Sequence, residues 1–271
     1  MVARKGISMN KVAVITGGSS GIGLAATEVF AKAGWQVAEL SRHGVSGEGV
    51  THFTADIQNE TEVQLAFAQV LEKLGKIDVL INNAGFGISG AAEFTDAGDT
   101  ARQFAVNYLG MAHATKAALP VMRKQGGGTV LAVSSVAAAV PIPFQAHYSA
   151  SKAAVTAFSR ALALEVRPFG IRVAAVHPGD IKTGFTAARK SEHKGDDAYK
   201  GRIGRSVARM EHDEQNGMPA EVVAKRLLRL ANKKRLAPIY TVGFSYQMID
   251  FAARLLPRSL VSRIIGLLYA K

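Results

Sequence analysis

The sequence predicts an α/β fold, a single domain built around a doubly wound parallel sheet. Short apolar segments alternate along the chain with longer segments of helical periodicity, which is typical of parallel strands joined by crossover helices. A chain of 271 residues with 48% hydrophobic side chains can bury one substantial core. Its 27 glycines suit the tight turns that join strands to helices in such folds.

Composition and charge exclude several classes of site. The chain has no cysteine, which excludes disulfides, thiol catalysis and cysteine-ligated zinc, and no metal site is predicted. The formal net charge is +12, and most of this surplus lies after residue 181. It is compatible with phosphate-bearing ligands, acidic carriers or an anionic membrane. No nucleic-acid partner is predicted, because no recognised binding motif accompanies the basic residues.

Residues 1–10 form a short lead that we expect to be disordered. The lead contains Arg4 and Lys5 but no apolar stretch, so it does not resemble a secretory signal. No apolar run in the chain is long enough to span a bilayer. The expected location is therefore cytoplasmic.

A glycine-rich turn joins the first predicted strand, residues 11–16, to a helical pattern over residues 24–33. Gly17 would allow a tight turn, Gly21 the close approach of the backbone to a pyrophosphate, and Gly23 the packing of the helix on the sheet. This arrangement predicts a dinucleotide site that comprises Gly17, Ser19, Ser20, Gly21, Ile22 and Gly23.

The second predicted strand, residues 35–41, favours a phosphorylated cofactor. NAD-binding chains usually place an acid near the end of this strand to hold the ribose hydroxyls, but here the strand ends in Ser41 and Arg42. An arginine would bind a 2′-phosphate that a carboxylate would repel. We therefore predict NADP(H) rather than NAD(H). Glu39 is the competing acid, and it should point within the sheet.

The next two predicted strands, residues 51–55 and 77–81, also end in candidate cofactor contacts. Asp56 and Ile57 could flank an adenine ring, although Asp56 could equally cap a helix over residues 58–74. The fourth strand enters a small polar turn that suits a dinucleotide, with Asn82, Asn83, Ala84 and Gly85 in sequence. A long helix, expected over residues 99–124, follows and contains Asn107.

A candidate proton-transfer group follows the fifth predicted strand, residues 129–133. Ser135 lies just after the strand, and a helix from His147 to about Arg167 carries Tyr148 and Lys152, whose four-residue spacing puts both on one face. A neighbouring ammonium lowers the pKa of a phenol from its usual value of about 10. The Ser135 hydroxyl could donate to a developing alkoxide. The three residues predict proton transfer at a carbonyl or an alcohol.

The rest of the chain completes the domain and adds a tail. A sixth strand, residues 171–176, leads to Pro178, Gly179, Ile181 and Thr183, and a last strand at residues 238–242 ends a domain of residues 11–243. Residues 184–217 are charged and glycine-containing, and we predict a mobile substrate lid there. In the tail, residues 244–271, Pro257 separates two helices, the second amphipathic. This extension could close the pocket, meet a subunit or lie on an anionic membrane surface.

These motifs closely resemble the classical short-chain dehydrogenase/reductase family, which has a Rossmann-type fold. The matching motifs run in order over residues 11–183: Thr16-Gly-x-x-x-Gly-Ile-Gly23, Asn82-Asn-Ala-Gly85, Asn107, Ser135, Tyr148-x-x-x-Lys152, and Pro178-Gly179 with Thr183. The resemblance implies a nicotinamide cofactor and hydride transfer at a carbonyl or secondary alcohol. It also implies a homodimer or homotetramer, in which residues 99–124 and 147–167 form subunit interfaces.

The resemblance also implies roles for individual residues. Tyr148 would be the general acid in reduction and the base in oxidation, and Ser135 would polarise the substrate oxygen. Lys152 would hold the nicotinamide ribose and lower the pKa of Tyr148. Asn107 would hold a water in a proton relay, unless it is a structural amide inside its helix. Ile181 and Thr183 would contact the carboxamide and phosphate of the cofactor.

Two substrate classes and two functions stay open at this stage. An apolar set, Phe86, Val140, Phe144 and Phe185, suggests a lipid-like or aromatic carbonyl. The cations of the lid suggest an acidic or carrier-bound substrate instead, with Lys190, Lys194, Lys200, Arg202, Arg205 and Arg209 among them. The alternative function is a non-catalytic NADP(H)-binding redox sensor or scaffold. The complete Ser-Tyr-Lys set argues against that alternative, because a protein that only binds the cofactor has no need of Tyr148.

Overall fold

The chain folds around one parallel sheet, as the sequence predicts. A computed structural model describes residues 10–270, so the predicted lead lies outside the described residues except for Asn10. The main strands are β1 Val12–Thr16, β2 Gln36–Ser41, β3 Val50–Thr54, β4 Val79–Asn82, β6 Gly128–Val133, β7 Ile171–Pro178 and β11 Ile239–Val242. They pair in the order β11-β7-β6-β4-β1-β2-β3, and all the pairings are parallel.

Two pairs of very short strands lie outside this sheet. They are formed by β5 Ile88–Ser89 with β9 Lys190–Ser191, and by β8 Ile181–Lys182 with β10 Met218–Pro219. The first pair attaches the start of the predicted lid to the loop after β4. The second attaches the end of the lid to the turn after β7.

Helices cover both faces of the sheet. On one face lie α1 and α8, and on the other α2, α4 and α5. The α-helices of the described residues are α1 Gly21–Lys32, α2 Glu60–Leu74, α3 Ala97–Phe104, α4 Gly110–Lys124, α5 Ala146–Glu165, α6 Phe185–Ala188, α7 Arg202–Gln215, α8 Ala220–Ala231, α9 Phe244–Leu255 and α10 Arg258–Tyr269. Side chains alternate between the faces along each strand. In β1, for example, Ala13 and Ile15 pack in the core beneath α1 and α8, while Val14 packs beneath α2 and α4.

The strand order reverses beside β1, which pairs with β2 on one side and β4 on the other. In an open parallel sheet, the loops at the carboxyl ends of the strands diverge at such a point and leave a crevice. The glycine-rich turn after β1 and the polar turn after β4 both open into this crevice. The topology therefore places the candidate cofactor residues together.

The long helix predicted over residues 99–124 is interrupted. A π-helical turn, Ala105–Leu109, separates α3 from α4 and contains Asn107. Such a turn inserts an extra residue and is frequent at functional sites. It also changes which residues of the two flanking helices share a face.

The prediction that Asp56 caps the second helix is wrong. The helix begins at Glu60, and the side chain of Asn59 accepts hydrogen bonds from the backbone N–H groups of Thr61 and Glu62. The carboxylate of Asp56 accepts instead from the backbone N–H of Gln58 at 2.9 Å. Asp56 therefore stabilises the turn before the helix.

The segment predicted as a mobile lid contains regular helices, which the sequence reasoning did not anticipate. In α7, Ile203, Val207 and Met210 are buried. Helix α6 is tied to α7 by Glu214, whose carboxylate pairs with Arg189 and accepts a hydrogen bond from the Thr186 hydroxyl. The mobility of this segment stays a prediction.

The tail forms two helices, α9 and α10, that meet at Pro257, as predicted. Among the described helices, none is both long and apolar enough to cross a bilayer.

Candidate active site

The glycine-rich turn is shaped by close backbone contacts. Gly17 has a φ of +65°, and a Cβ there would lie 2.9 Å from the Cα of Ala84. A Cβ on Gly23 would lie 2.0 Å from the carbonyl oxygen of Gly17. Only glycine permits this tight turn, which presents the start of α1 to the crevice. The Ser20 side chain does not cap that helix, so its first N–H groups remain open to an anion.

Asn83 fixes the turn after β1 to the turn after β4. Its amide nitrogen donates to the carbonyl oxygens of Thr16 and Gly17, each at 3.1 Å. In return, the hydroxyl of Thr16 accepts from the backbone N–H groups of Asn83 and Ala84. The two walls of the candidate cofactor site are therefore held at a fixed separation.

At the end of β2, Ser41 and Arg42 line the same crevice, while Glu39 does not. Glu39 is buried beneath Gly18, and its carboxylate lies 2.5 Å from Nδ1 of His52. This position matches the expectation that Glu39 points within the sheet. The Ser41 hydroxyl is buried without a hydrogen-bond partner, as expected of a group that a ligand would satisfy.

Ser135, Tyr148 and Lys152 come together at the carboxyl end of β6. The ammonium of Lys152 lies 5.9 Å from the centre of the Tyr148 ring and donates to the carbonyl oxygen of Val133 at 2.9 Å. The Ser135 hydroxyl lies near enough to the Tyr148 phenol to lower its pKa. The neighbouring Ser134 is occupied elsewhere, because its hydroxyl donates to the Lys152 carbonyl oxygen and contacts Thr156. Of the two serines, only Ser135 is directed at the tyrosine.

Burial has the largest effect on the pKa values of Tyr148 and Lys152. It raises the pKa of Tyr148 to about 12, and the Ser135 hydroxyl opposes this rise only in part. Burial also lowers the pKa of Lys152 to about 8. The expected net lowering of the tyrosine pKa by Lys152 is therefore wrong for this structure. At neutral pH the pair consists of a neutral phenol and an ammonium.

A cavity of about 640 Å³ runs along these groups. Most of the predicted cofactor residues line it: Gly17, Ser19, Ser20, Gly21, Ile22, Ser41, Arg42, Asp56, Ile57, Asn83, Ala84, Gly85, Tyr148, Lys152, Pro178, Gly179, Ile181 and Thr183. Gly23 lies behind the turn and contributes through packing. Leu40, His43, Gln58 and Val133 also line the cavity, and no motif pointed to them.

The comparison with known proteins agrees with this geometry. A profile of the family described as short chain dehydrogenase matches residues 11–194, more than half of the chain. The chain belongs to the short-chain dehydrogenase/reductase family. A relative in this family, the 3-ketodihydrosphingosine reductase of Bacteroides thetaiotaomicron, is 36% identical over 244 residues, which are 87% of this chain and 91% of that protein.

Solved structures of short-chain dehydrogenases with different cofactors resemble this one. The 3-ketoacyl-(acyl-carrier-protein) reductase of Brucella melitensis, complexed with NADH, has a TM-score of 0.74 at 28% identity, covering 87% of this chain and 98% of that one. ElxO with NADP bound has a TM-score of 0.75 at 27% identity, covering 89% and 100%. The family thus binds NAD(P)(H), and both forms of the cofactor occur among these neighbours.

The substrate end of this short-chain dehydrogenase differs from the prediction. Phe86 and Phe185 line the cavity, and the Phe185 ring lies 5.8 Å from that of Tyr148. Val140 is buried outside the cavity wall. Phe144 adopts a left-handed backbone (φ 62°) and packs against Tyr199 of the lid, with ring centres 5.6 Å apart. The assignment of Val140 and Phe144 to the pocket is therefore wrong.

Other side chains that the sequence reasoning missed line the substrate end of the dehydrogenase. They are Asp99, Arg102, Val106, Ile142, Gln145, Asp180, Ala188 and Glu214, and they lie beside Lys190, which was predicted as a lid cation. Lys190 pairs with Asp99 across this end of the cavity, and Arg102 lies over the ring of Phe86. The interior is largely apolar and the rim is charged. No local motif marks these positions, because they come from four separate segments.

Asn107 does not line the cavity but supports its wall. Its amide nitrogen donates to the carbonyl oxygen of Phe86 and to the Ser151 hydroxyl, both at 3.0 Å, and its oxygen accepts from the backbone N–H of Phe86. A Cβ on Gly85 would lie 3.0 Å from the Asn107 oxygen and 3.3 Å from the Lys152 ammonium nitrogen. In this dehydrogenase, the amide therefore holds Phe86 and α5 in register. The predicted water relay stays a prediction.

Proposed function

We propose that this protein is an NADP(H)-dependent oxidoreductase that transfers a hydride between the nicotinamide and a carbonyl or secondary alcohol, with Tyr148 as acid and base. Its family membership and its relatives make it an oxidoreductase. The observation that supports the finer proposal is the meeting of Ser135, Tyr148 and Lys152 at one end of a cavity that suits a dinucleotide. The same observation disfavours the alternative of a non-catalytic sensor or scaffold.

The residues present fit a dinucleotide. A glycine turn that a Cβ would obstruct opens towards uncapped helix N–H groups, and the buried Ser41 hydroxyl lacks a partner. When bound, the cofactor supplies or accepts the hydride. The start of α1 would hold the pyrophosphate, and Lys152 would hold the nicotinamide ribose.

Tyr148 is the proposed source of the proton in the reductive direction. Because burial raises its pKa to about 12, the phenol keeps its proton at neutral pH and can donate it to the oxygen of a reacting carbonyl. The Ser135 hydroxyl would donate to the same oxygen and stabilise the charge that develops there. In oxidation, Tyr148 would first have to lose its own proton to solvent. The phenolate, stabilised by the Lys152 ammonium, would then take the proton from the alcohol and return to the phenol.

The cofactor preference is testable at the end of β2. We expect NADPH to bind about ten- to a hundredfold more tightly than NADH, since Arg42 can form charge-assisted hydrogen bonds to a 2′-phosphate. Combining Ser41→Asp with Arg42→Leu should reverse the order, as measured by fluorescence titration. Arg229→Ala, which removes an exposed arginine from α8, is the control and should leave both affinities unchanged. Equal wild-type affinities for the two cofactors would contradict this assignment.

The proposed substrate is an apolar ketone. The cavity interior offers Phe86, Val106, Ile142, Phe185 and Ala188, and most lid cations already have partners. Among these cations, Lys190 pairs with Asp99, Arg209 with Asp213, and Arg202 with the carbonyl oxygen of Ala270. They are less available for an acidic carrier than the sequence suggests. The name of the relative in Bacteroides, a 3-ketodihydrosphingosine reductase, supports a long-chain ketone.

A panel of ketones tests this substrate class by the loss of NADPH absorbance. We expect kcat/KM to rise with the length of the alkyl chain, by about three- to fourfold for each methylene that the cavity buries. Acyl-carrier-protein thioesters serve as the comparison and should react more slowly than long-chain ketones. Faster reduction of the carrier-bound substrate would contradict the proposal.

We also propose that the protein is a homodimer or homotetramer that acts in the cytoplasm and contacts membranes only at their surface. Support for assembly comes from α4 and α5, which carry small side chains on long helices. Leu109 and Leu164, in this part of the chain, are exposed and available for a subunit contact.

A further inference from the structure

The two C-terminal helices present their apolar side chains to solvent. Neither α9 nor α10 contains a fully buried residue. Of the large hydrophobic side chains that are exposed in the described part of the chain, more than half lie on these helices. We call these side chains, together with Leu256 between the two helices, the tail face: Phe244, Met248, Ile249, Phe251, Leu255, Leu256, Leu260, Ile264, Leu267 and Leu268.

The spacing of the tail face is helical. Phe244, Met248, Phe251 and Leu255 recur on one side of α9, and Leu260, Ile264 and Leu267 on one side of α10. On an ordinary surface helix this side would face the core, and large exposed apolar areas mark contacts with other proteins or with membranes. Each helix has 12 residues, which is about 18 Å and shorter than a hydrocarbon core of about 30 Å. Both helices can therefore lie in a membrane surface but cannot span it.

The charges beside the tail face favour a lipid surface over a protein partner. Arg258 and Arg263 are exposed and have no acidic partner among residues 10–270, whereas Arg254 pairs with Asp250 within α9. The same face of a second copy would offer no free carboxylate to pair with them, because Asp250, the only acidic residue of the tail, already pairs with Arg254. Anionic headgroups would neutralise them, and a basic rim around an apolar helix face is typical of peripheral membrane helices.

The inner sides of the same helices are attached to the substrate end of the cavity. The Tyr246 hydroxyl donates to Asp180, which lines the cavity, at 2.5 Å, and the Tyr246 ring covers Gly179. The Tyr269 hydroxyl donates to Asp213 of α7 at 3.1 Å. The helices of the tail face are therefore held against this wall of the cavity.

We propose that the tail face docks on an anionic lipid bilayer and brings the substrate end of the cavity to the membrane surface. The docking proposal rests only on the residues of the tail. Delivery of a long-chain ketone from the bilayer rests on the function proposed above.

Vesicle flotation of the full chain, without substrate, tests the docking. We expect binding to vesicles of equal parts phosphatidylglycerol and phosphatidylcholine at about 50 mM NaCl, and much weaker binding at about 500 mM, where charges are screened. Vesicles of phosphatidylcholine alone should bind less protein at either salt concentration. If the protein ignores the anionic vesicles at low salt, the proposal is overturned.

Variants separate the apolar contribution from the ionic one. Phe251→Ser with Leu255→Ser should weaken anionic-vesicle binding at least about tenfold. Arg258→Gln with Arg263→Gln should weaken it about thirtyfold and leave the apolar residues intact. The control pair, Leu65→Ser with Val222→Ser, removes two exposed apolar side chains from α2 and α8 and should bind like the wild type. An equal loss in the control pair would overturn the proposal.

Two further measurements distinguish membrane docking from a subunit contact and from misfolding of the variants. If Phe251→Ser with Leu255→Ser lowers the mass found by light scattering and leaves vesicle binding unchanged, the tail face is a subunit interface and the proposal is overturned. Reduction of a short, water-soluble ketone should be equal in the wild type and both tail variants, which shows that they are folded. Reduction of a long-chain ketone held in anionic vesicles should fall with vesicle binding. Failure of all ketone reduction, with binding as expected, would contradict the proposed function and leave the docking intact.

Discussion

Tyr148→Phe is expected to lower kcat for ketone reduction by a factor of about 10² to 10⁴ and to leave the dissociation constant of NADPH nearly unchanged. The phenylalanine keeps the ring that packs against Phe185 but removes the hydroxyl that lies near Ser135. The reacting oxygen would then have no positioned side-chain proton donor and would depend on water for its proton. Single-turnover absorbance of NADPH and fluorescence titration measure the two quantities separately.

A matched control is Tyr108→Phe. Tyr108 lies in the π-helical turn, packs edge-on against Phe158 with ring centres 6.0 Å apart, and does not line the cavity. Its variant should keep kcat within about twofold, because surface or packing hydroxyls contribute little to a proton transfer they do not touch. A Tyr148→Phe enzyme that retains most of its kcat would remove Tyr148 from the mechanism.

Lys152→Met is expected to abolish most of the activity and to stabilise the cofactor-free protein at pH 7. The ammonium is buried, and its pKa falls from 10.5 to about 8. Each pKa unit of this shift corresponds to about 1.4 kcal/mol of stability that the buried ammonium costs, and methionine removes this cost. The loss of the hydrogen bond to Val133 offsets about 1 kcal/mol of the stability gained. We therefore expect a net gain on the order of 2 kcal/mol in the free energy of unfolding, measured by denaturant titration.

The pH dependence of this gain has a definite sign. Between pH 8 and 10.5 the unfolded chain holds a proton on Lys152 that the folded chain has lost, so the wild type becomes more stable as pH rises through this range. Below pH 8 the folded protein carries the full cost of a buried ammonium. The advantage of the methionine variant should therefore be largest below pH 8 and should shrink towards pH 10.5.

Lys116→Met is the control for this stability measurement. Lys116 is also helical but exposed, and it pairs with Glu60 at the surface. Its removal should change stability by less than about 1 kcal/mol, with no gain near neutral pH. A Lys152→Met protein that is less stable than the wild type at pH 7 would show that the buried ammonium is better solvated than the structure indicates.

Local patterns were sufficient to predict the sheet and to place the candidate cofactor residues at one crevice. The glycine turn, Asn83 and Arg42 each follow a strand directly, so the topology alone brings them to one crevice. The substrate side depends on contacts between distant segments. Phe144 turns away from the cavity because its backbone is left-handed and its ring packs on Tyr199, and neither fact is local to the loop.

Two other features of the structure were not predicted, for different reasons. Helix α7 shows the i, i+4, i+7 pattern of a buried helix face, in Ile203, Val207 and Met210. This helix could therefore have been predicted from the sequence despite its many charged residues. The pKa of Tyr148 could not have been predicted in this way. The four-residue spacing shows that an ammonium lies near the phenol, but it does not show how much water surrounds the pair. Burial decides the pKa, and burial is a property of the whole fold.

The ion pair between Arg189 and Glu214 limits how the pocket can open. The Arg189 side chain is fully buried, its carboxylate partner belongs to α7, and the Thr186 hydroxyl bonds to the same carboxylate. Separating α6 from α7 would leave an uncompensated charge in apolar surroundings, at a cost of about 3–5 kcal/mol. We therefore expect α6 and α7 to stay joined whenever this segment moves. The predicted lid would then open as one unit rather than by the gradual loosening of a loop.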